Sequence, residues 1–282
     1  MNFLRKDLAN AMKLFNTHTH TNNSVDCKAL PIDMCKSAIN AGLSGIAFCD
    51  HCHGGNYITH RTYSVLKGSM QDAKLMASQF EGSLEVLAGA EFDEILWSPE
   101  YINRLIESSP LDIVLASVHR VRTNLDPNYI SRVNFSAYTN TQLREHAKSY
   151  FEDVLETAEK CDFDVLSHLT LILRYVRGSH KLDLDLAEFM PIIDKTLKVL
   201  ISREKALELN SSEFENIGFM PDAEILKRYR SFGGELVTIG TVAHKPKRID
   251  YGICEAVQLL KDCGFDSYYY YKNRQPQKIS FE

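Results

Sequence analysis

What this chain of 282 residues has little of narrows its function first. No apolar run approaches the ~20 residues a membrane helix requires, and the opening stretch MNFLRKDLANAMKLF carries too much charge for a secretory leader. A cytoplasmic protein is expected. Basic residues do not gather into long runs and the formal net charge is −5, so neither nucleic acid nor an acidic membrane is an expected partner. A small soluble substrate fits better. The seven cysteines follow no regular spacing, which argues against a disulfide framework and for reduced thiols. Cys49-Asp50-His51-Cys52 resembles a Cys-x-x-Cys pair, but no second pair completes a structural zinc site, and ordinary thiols are expected there. Repeats and low-complexity tracts are absent. So is a glycine-rich phosphate loop after the first apolar run, where the chain reads Thr17-His18-Thr19-His20-Thr21; this disfavours an open, doubly wound nucleotide-binding sheet.

What is present is an alternation. With 44% hydrophobic residues the chain can bury one large core, and a single domain over residues 1–282 is expected. Seven apolar runs of strand length fall at residues 14–20, 45–50, 84–91, 112–119, 163–168, 206–210 and 236–244. Between them, segments with helical periodicity occupy residues 31–41, 64–79, 99–107, 141–161, 184–200, 222–231 and 253–263. This order predicts parallel βα units. Nearly every run closes on a metal-binding or polar residue: His18 and His20, Asp50 and His51, Glu91, His119, His168, Asn210, His244. In a closed parallel barrel the carboxyl ends of all strands meet on one face, so residues far apart in sequence would converge there.

Side chains alternate along a strand, so His18 and His20 project to the same side and can grip one ion together. Imidazole and carboxylate in this mixture suit zinc, iron or manganese better than calcium or magnesium. A lone histidine after a strand is as readily a loop residue as a ligand, but a set at matching strand ends favours ligation. His60, His146 and His180 lack this placement and are expected at the surface.

The motifs resemble those of a known family. His18-Thr19-His20-Thr21-x-x-Ser24-x-Asp26, Cys49-Asp50-His51, Gly89-Ala90-Glu91, Ala116-Ser117-Val118-His119, Val165-Leu166-Ser167-His168 and Gly240-Thr241-Val242-Ala243-His244 resemble, in order, the motifs of the polymerase and histidinol phosphatase (PHP) family. Two more stretches, Ala206-Leu207-Glu208-Leu209-Asn210-Ser211 and Lys261-Asp262-Cys263-Gly264-Phe265, resemble its histidinol-phosphatase branch. The resemblance implies an α/β fold, a distorted (β/α)7 TIM-like barrel, with two or three divalent ions and a bridging hydroxide that attacks phosphorus. His18, His20 and Glu91 would hold the first ion; Glu91 would bridge to a second held by His119 and His168; Asp26, His51 and His244 would hold a third. The implied reaction converts L-histidinol phosphate to L-histidinol and phosphate in histidine biosynthesis.

Two departures from the pattern matter. Val242 stands where members commonly carry an aspartate ligand of the first metal, which takes one anionic ligand away from that ion. Glu213-Phe214-Glu215 stands where some branch members carry an arginine; these acids would repel a phosphate and attract an amino group such as histidinol phosphate bears. Arg174, six residues after His168, is a candidate to hold phosphate oxygens. Lys245 and Arg248 follow His244 on the same rim. Asp50 is a candidate proton donor to the leaving group or an orienting partner of His51. A phosphoesterase acting on a nucleotide, sugar phosphate or phosphotyrosine, and a non-catalytic member degenerate at Val242, are the alternatives. The run Tyr268-Tyr269-Tyr270-Tyr271 reads as a packed tail, ahead of a last strand or an apolar edge seeking a partner, and the sequence carries no signal of oligomeric state.

Overall fold

The computed structural model describes residues 12–54 and 59–281, with the backbone alone for Thr59 and His60. Strands and helices alternate as β1 (Phe15–Thr19), α1 (Pro31–Asn40), β2 (Gly45–Phe48), β3 (His51–His53), α2 (Thr59–Gln79), β4 (Glu85–Asp93), α3 (Pro99–Ser108), β5 (Ile113–Ser117), α4 (Asn140–Lys160), β6 (Val165–Leu166), α5 (Met190–Ser202), β7 (Ala206–Asn210), α6 (Ala223–Ser231), β8 (Val237–Gly240), α7 (Ile253–Asp262), β9 (Ser267–Lys272) and β10 (Gln275–Ser280). Local chemistry sets the helix starts. Pro31 and Pro99 open α1 and α3, where a missing N–H costs nothing. Thr139 and Gln142 form a reciprocal capping box on α4, and the Asp222 carboxylate accepts from Ile225 N at the start of α6.

The strands pair in the order β1-β2-β4-β5-β6-β7-β8, all parallel, with β3 also on β4. A parallel bridge between Thr19 and Ala243, with His20 N donating to Ala243 O at 3.0 Å, carries the end of β8 back to β1. The barrel is therefore nearly closed, and β1, β5 and β7 are buried along their whole length, as strands covered on both faces are.

Three details differ from the expectations. The fifth run, residues 163–168, forms only the two-residue β6. The helix expected at 184–200 begins with a 3-10 turn over Leu186–Phe189, because Pro191 lacks a donor and fits only the first turn of α5. The tyrosine run is a strand rather than a tail: β9 pairs antiparallel with β10 around a two-residue loop, Asn273 and Arg274, both at positive φ (50° and 60°). Tyr268 Oη accepts from Phe15 N at 2.9 Å and donates to Lys13 O at 3.1 Å, while Tyr270 stacks on Phe15 at 4.0 Å. The hairpin thus packs against the amino-terminal end of β1.

Candidate metal centre

Glu91, near the end of β4, is fully buried and sits at the centre of a ring of imidazoles. Its Oε2 lies 3.4 Å from His18 Nε2, 3.8 Å from His20 Nε2 and 2.8 Å from His51 Nδ1. Its Oε1 lies 3.4 Å from His119 Nε2 and 3.0 Å from His168 Nε2. One carboxylate therefore faces five histidines from four strands, with one oxygen toward each group. On the outer side, Asp26 Oδ2 lies 3.2 Å from His244 Nε2 and 3.6 Å from His51 Nε2. His20 stacks between His51 and His244, with ring centroids at 4.3 and 4.2 Å. All eight ligands expected from the sequence converge on this one mouth.

The remaining ring nitrogens are held so that specific lone pairs face inward. Glu208 Oε1 lies 2.7 Å from His18 Nδ1, and Asp93 Oδ2 lies 3.0 Å from His119 Nδ1. His244 Nδ1 donates to Val242 O at 2.9 Å. A proton fixed on Nδ1 by these acceptors leaves Nε2 free to bind a cation, the arrangement that orients ligating histidines generally. Glu208 Oε2 also accepts from His168 N at 2.7 Å and Asn210 Nδ2 at 2.9 Å, so this buried carboxylate holds two histidines in place. Gly240 permits it: a Cβ there would come within 2.0 Å of Glu208 Oε1.

A metal is what the arrangement fits. His18 Nε2, His20 Nε2, His51 Nδ1, Glu91 Oε2, His168 Nδ1 and His244 Nε2 are buried without a hydrogen-bond partner, a costly state that a coordinated cation relieves. Groups with ligand atoms within 4.8 Å of one another include His18, His20 and Glu91; Glu91, His119 and His168; and His20, His51 and His244. Without a cation, protons take its place. Burial opposes charge on His18 and His51, yet Glu208 and Glu91 lift His18 to about 9, and Glu91 and Asp26 lift His51 to about 10. Burial and its neighbouring histidines push His20 well down. His20 is thereby kept neutral, with a lone pair to donate.

Comparison with known proteins bears on this site. The sequence profile of the PHP domain matches residues 16–212, the span from β1 to the loop after β7. The chain belongs to the PHP domain family. Histidinol-phosphatase of Lactococcus lactis is 29% identical over 261 residues, covering 90% of this chain and 93% of that protein. A probable histidinol-phosphatase of Thermotoga maritima is 28% identical over 254 residues, covering 90% and 94%. Among solved structures, the Lactococcus lactis histidinol phosphate phosphatase, complexed with zinc, L-histidinol and phosphate, superposes with a TM-score of 0.79 over 94% of this chain and 99% of that one at 24% identity, which establishes a shared fold.

Within this PHP barrel two expected catalytic residues fare differently. Asp50 is fully buried and its oxygens accept from Thr21 N, Thr21 Oγ1, Ser24 Oγ and Ser69 Oγ at 2.6–2.7 Å. Through Ser24, which accepts from His51 N at 3.0 Å, it fixes the segment carrying His20 and His51, the arrangement of an orienting group. Arg174 does line the cavity, on a π-helical turn over Arg174–Ser179, but its Nε pairs with Glu213 Oε1 at 3.2 Å. Arg248 lies 3.6 Å over the Tyr251 ring and donates to Ser212 O, whereas Lys245 is exposed. Val242 lines the cavity at φ 48°, a strained backbone for a β-branched residue.

His146, expected at the surface, is fully buried in α4 against Phe135, and burial pushes it down to about 4. His180 is half-buried and bonds to Ser136 Oγ at 2.8 Å; the His60 side chain lies outside the described residues. Cys49 and Cys52 are buried free thiols, raised by desolvation. Three site residues were missed: Asp93, Glu208 and His53, whose Nδ1 lies 2.8 Å from Asp93 Oδ2 and whose ring lines the cavity. Each lies two positions from a recognised strand-end residue (Glu91, Asn210, His51), so the strand period already placed it on the same face.

Proposed function

We propose that this chain is a cytoplasmic metal-dependent phosphatase, one domain throughout, that converts L-histidinol phosphate to L-histidinol and phosphate in histidine biosynthesis. The observation that carries this reading is Glu91, buried between two groups of histidines that turn ring nitrogens toward its two oxygens. His18, His20 and Glu91 would hold one divalent ion, Glu91, His119 and His168 a second, and Asp26, His51 and His244 a third, with zinc, iron or manganese suited to the donors. Bound there, divalent cations bring the pKa of a coordinated water toward ~7 and neutralise phosphate oxygens. The chain's own residues do the rest. Glu208 and Asp93 hold ring orientation, Arg174 faces the cavity as a donor to phosphate, and the cavity of about 1250 Å³ admits a small ester. The Lactococcus lactis phosphatase, similar along nearly its whole length, supports this substrate.

Val242 favours a second reading, a family member with a weakened first site that binds without turnover. The unpartnered nitrogens argue against it, since costly buried polar atoms persist where they are used. Phosphate release from L-histidinol phosphate, a nucleotide, a sugar phosphate and phosphotyrosine, each with manganese and with chelator, separates these readings. Metal-dependent release highest on L-histidinol phosphate is expected; no release from any ester overturns catalysis.

A further inference from the structure

The cavity that holds the histidines is also lined by an ion pair with no evident structural purpose. Arg174 Nε lies 3.2 Å from Glu213 Oε1, with the two side chains 35% and 22% exposed. Pairs in such solvent contact add little to stability. Yet Glu213 is presented firmly. Its Oε2 accepts from Asn216 Nδ2 at 3.1 Å, and its carbonyl accepts from Asn216 N and Ile217 N. The next residue, Phe214, is wedged against Phe219 and Tyr251.

A short chain of hydrogen bonds ties this turn to the histidines. Glu208, which holds His18 and the His168 backbone, accepts from Asn210 Nδ2, and Asn210 Oδ1 accepts from Ser212 N at 3.0 Å and Ser212 Oγ at 2.7 Å. Glu213 follows directly. Tyr175 lines the same cavity as Asp26, His51, Arg174 and Glu213. Glu215 differs: it is exposed, and its Oε2 accepts from Tyr251 Oη at 2.6 Å.

We propose that Glu213 is a specificity-determining residue that takes the ammonium group of an amino-alkyl phosphate ester, while Arg174 beside it takes a phosphate oxygen. This rests on the phosphatase reading above. Such an ester carries opposite charges a few bonds apart, and the wall offers the complementary pair in contact. An ester without the amine would bring its dianion against Glu213 with nothing to offset the repulsion, so the same carboxylate attracts one class and rejects the other.

The test compares Glu213→Gln with the unaltered enzyme, manganese-loaded, on L-histidinol phosphate and on p-nitrophenyl phosphate, which has no amine. Glu152→Gln, at an exposed residue of α4 outside the cavity, serves as the control. The ratio of kcat/KM for the amine-bearing over the amine-free ester is expected to fall about 10-fold or more in Glu213→Gln, chiefly through KM, and to hold in Glu152→Gln. Equal losses on both esters, or an unchanged ratio, overturn the assignment. So does an unaltered enzyme that prefers p-nitrophenyl phosphate, although hydrolysis itself then stands. If neither ester is hydrolysed, the phosphatase reading fails, and calorimetric binding of L-histidinol decides the role of Glu213 without turnover. Weaker binding by Glu213→Gln upholds it; equal binding overturns it.

Discussion

The two ends of the barrel are both rich in charge and treat it in opposite ways. At the amino-terminal ends of the strands Arg274 is surrounded by acceptors: Nε reaches both oxygens of Asp164 at 3.1 Å, and the terminal nitrogens reach Asp162 at 2.8 and 3.1 Å. Asp164 also accepts from Val114 N, and Asp112 accepts from Ala88 N and Asn273 N. These charges fasten the β9–β10 hairpin to the barrel floor. At the carboxyl-terminal mouth, by contrast, histidine and glutamate atoms are buried beside one another without a completed hydrogen bond. Charge that completes its own bonds serves the fold; charge left incomplete awaits a ligand.

If the difference is real, substitutions at the two ends have different consequences. The largest effect belongs to Glu91→Gln, which removes the carboxylate shared by both histidine groups; metal-dependent phosphate release is expected to fall by about 10³-fold or more, measured by steady-state kinetics. Glu208→Gln leaves the inward atoms in place but loosens His18 and His168, and a loss of about 10–100-fold in metal affinity or activity is expected from competition titrations against a chelator. Arg274→Ala is expected to cost about 2 kcal/mol by denaturant unfolding, less than a fully buried pair because the arginine is a quarter exposed. Turnover per folded molecule should hold, and a comparable loss of turnover would erase the contrast between the ends.

A smaller and graded effect comes from pH. His18 and His51 are raised to about 9 and about 10 in the metal-free site, so both hold protons at neutral pH that a cation must displace. Metal affinity should therefore climb as pH rises from 7 toward 9, with proton release visible as a buffer-dependent calorimetric heat. A flat profile would mean that the carboxylates do not hold those protons.

Much of this was legible in the sequence because a parallel barrel turns strand order into spatial convergence: His18, Glu91, His119, His168 and His244 each close a strand, and one topological rule brings them together. The partners that orient the rings were less visible. Asp93 and Glu208 follow the two-residue period, but nothing in the sequence ranks a buried carboxylate as a ligand or as a holder of one; only the direction of Glu208 toward His18 Nδ1, away from Glu91, decides it. For Asp50 the sequence favours an orienting role over proton donation but hides what holds it, since its four donors come from Thr21, Ser24 and Ser69, and the latter lies on a helix whose approach no motif reveals. His146 looked like a surface residue because it sits in a charged helical stretch, yet its position faces Phe135 across the loop before α4. The terminal hairpin hid behind four tyrosines, whose β propensity was outweighed by their place near the end of the chain.

Elemental analysis of the protein, expressed with zinc, iron and manganese supplied, tests the central claim most directly. About two to three equivalents of divalent metal per chain are expected, since the mouth offers donors of the kind that paired-ion sites use. A chain that retains none, while remaining folded, would contradict the account.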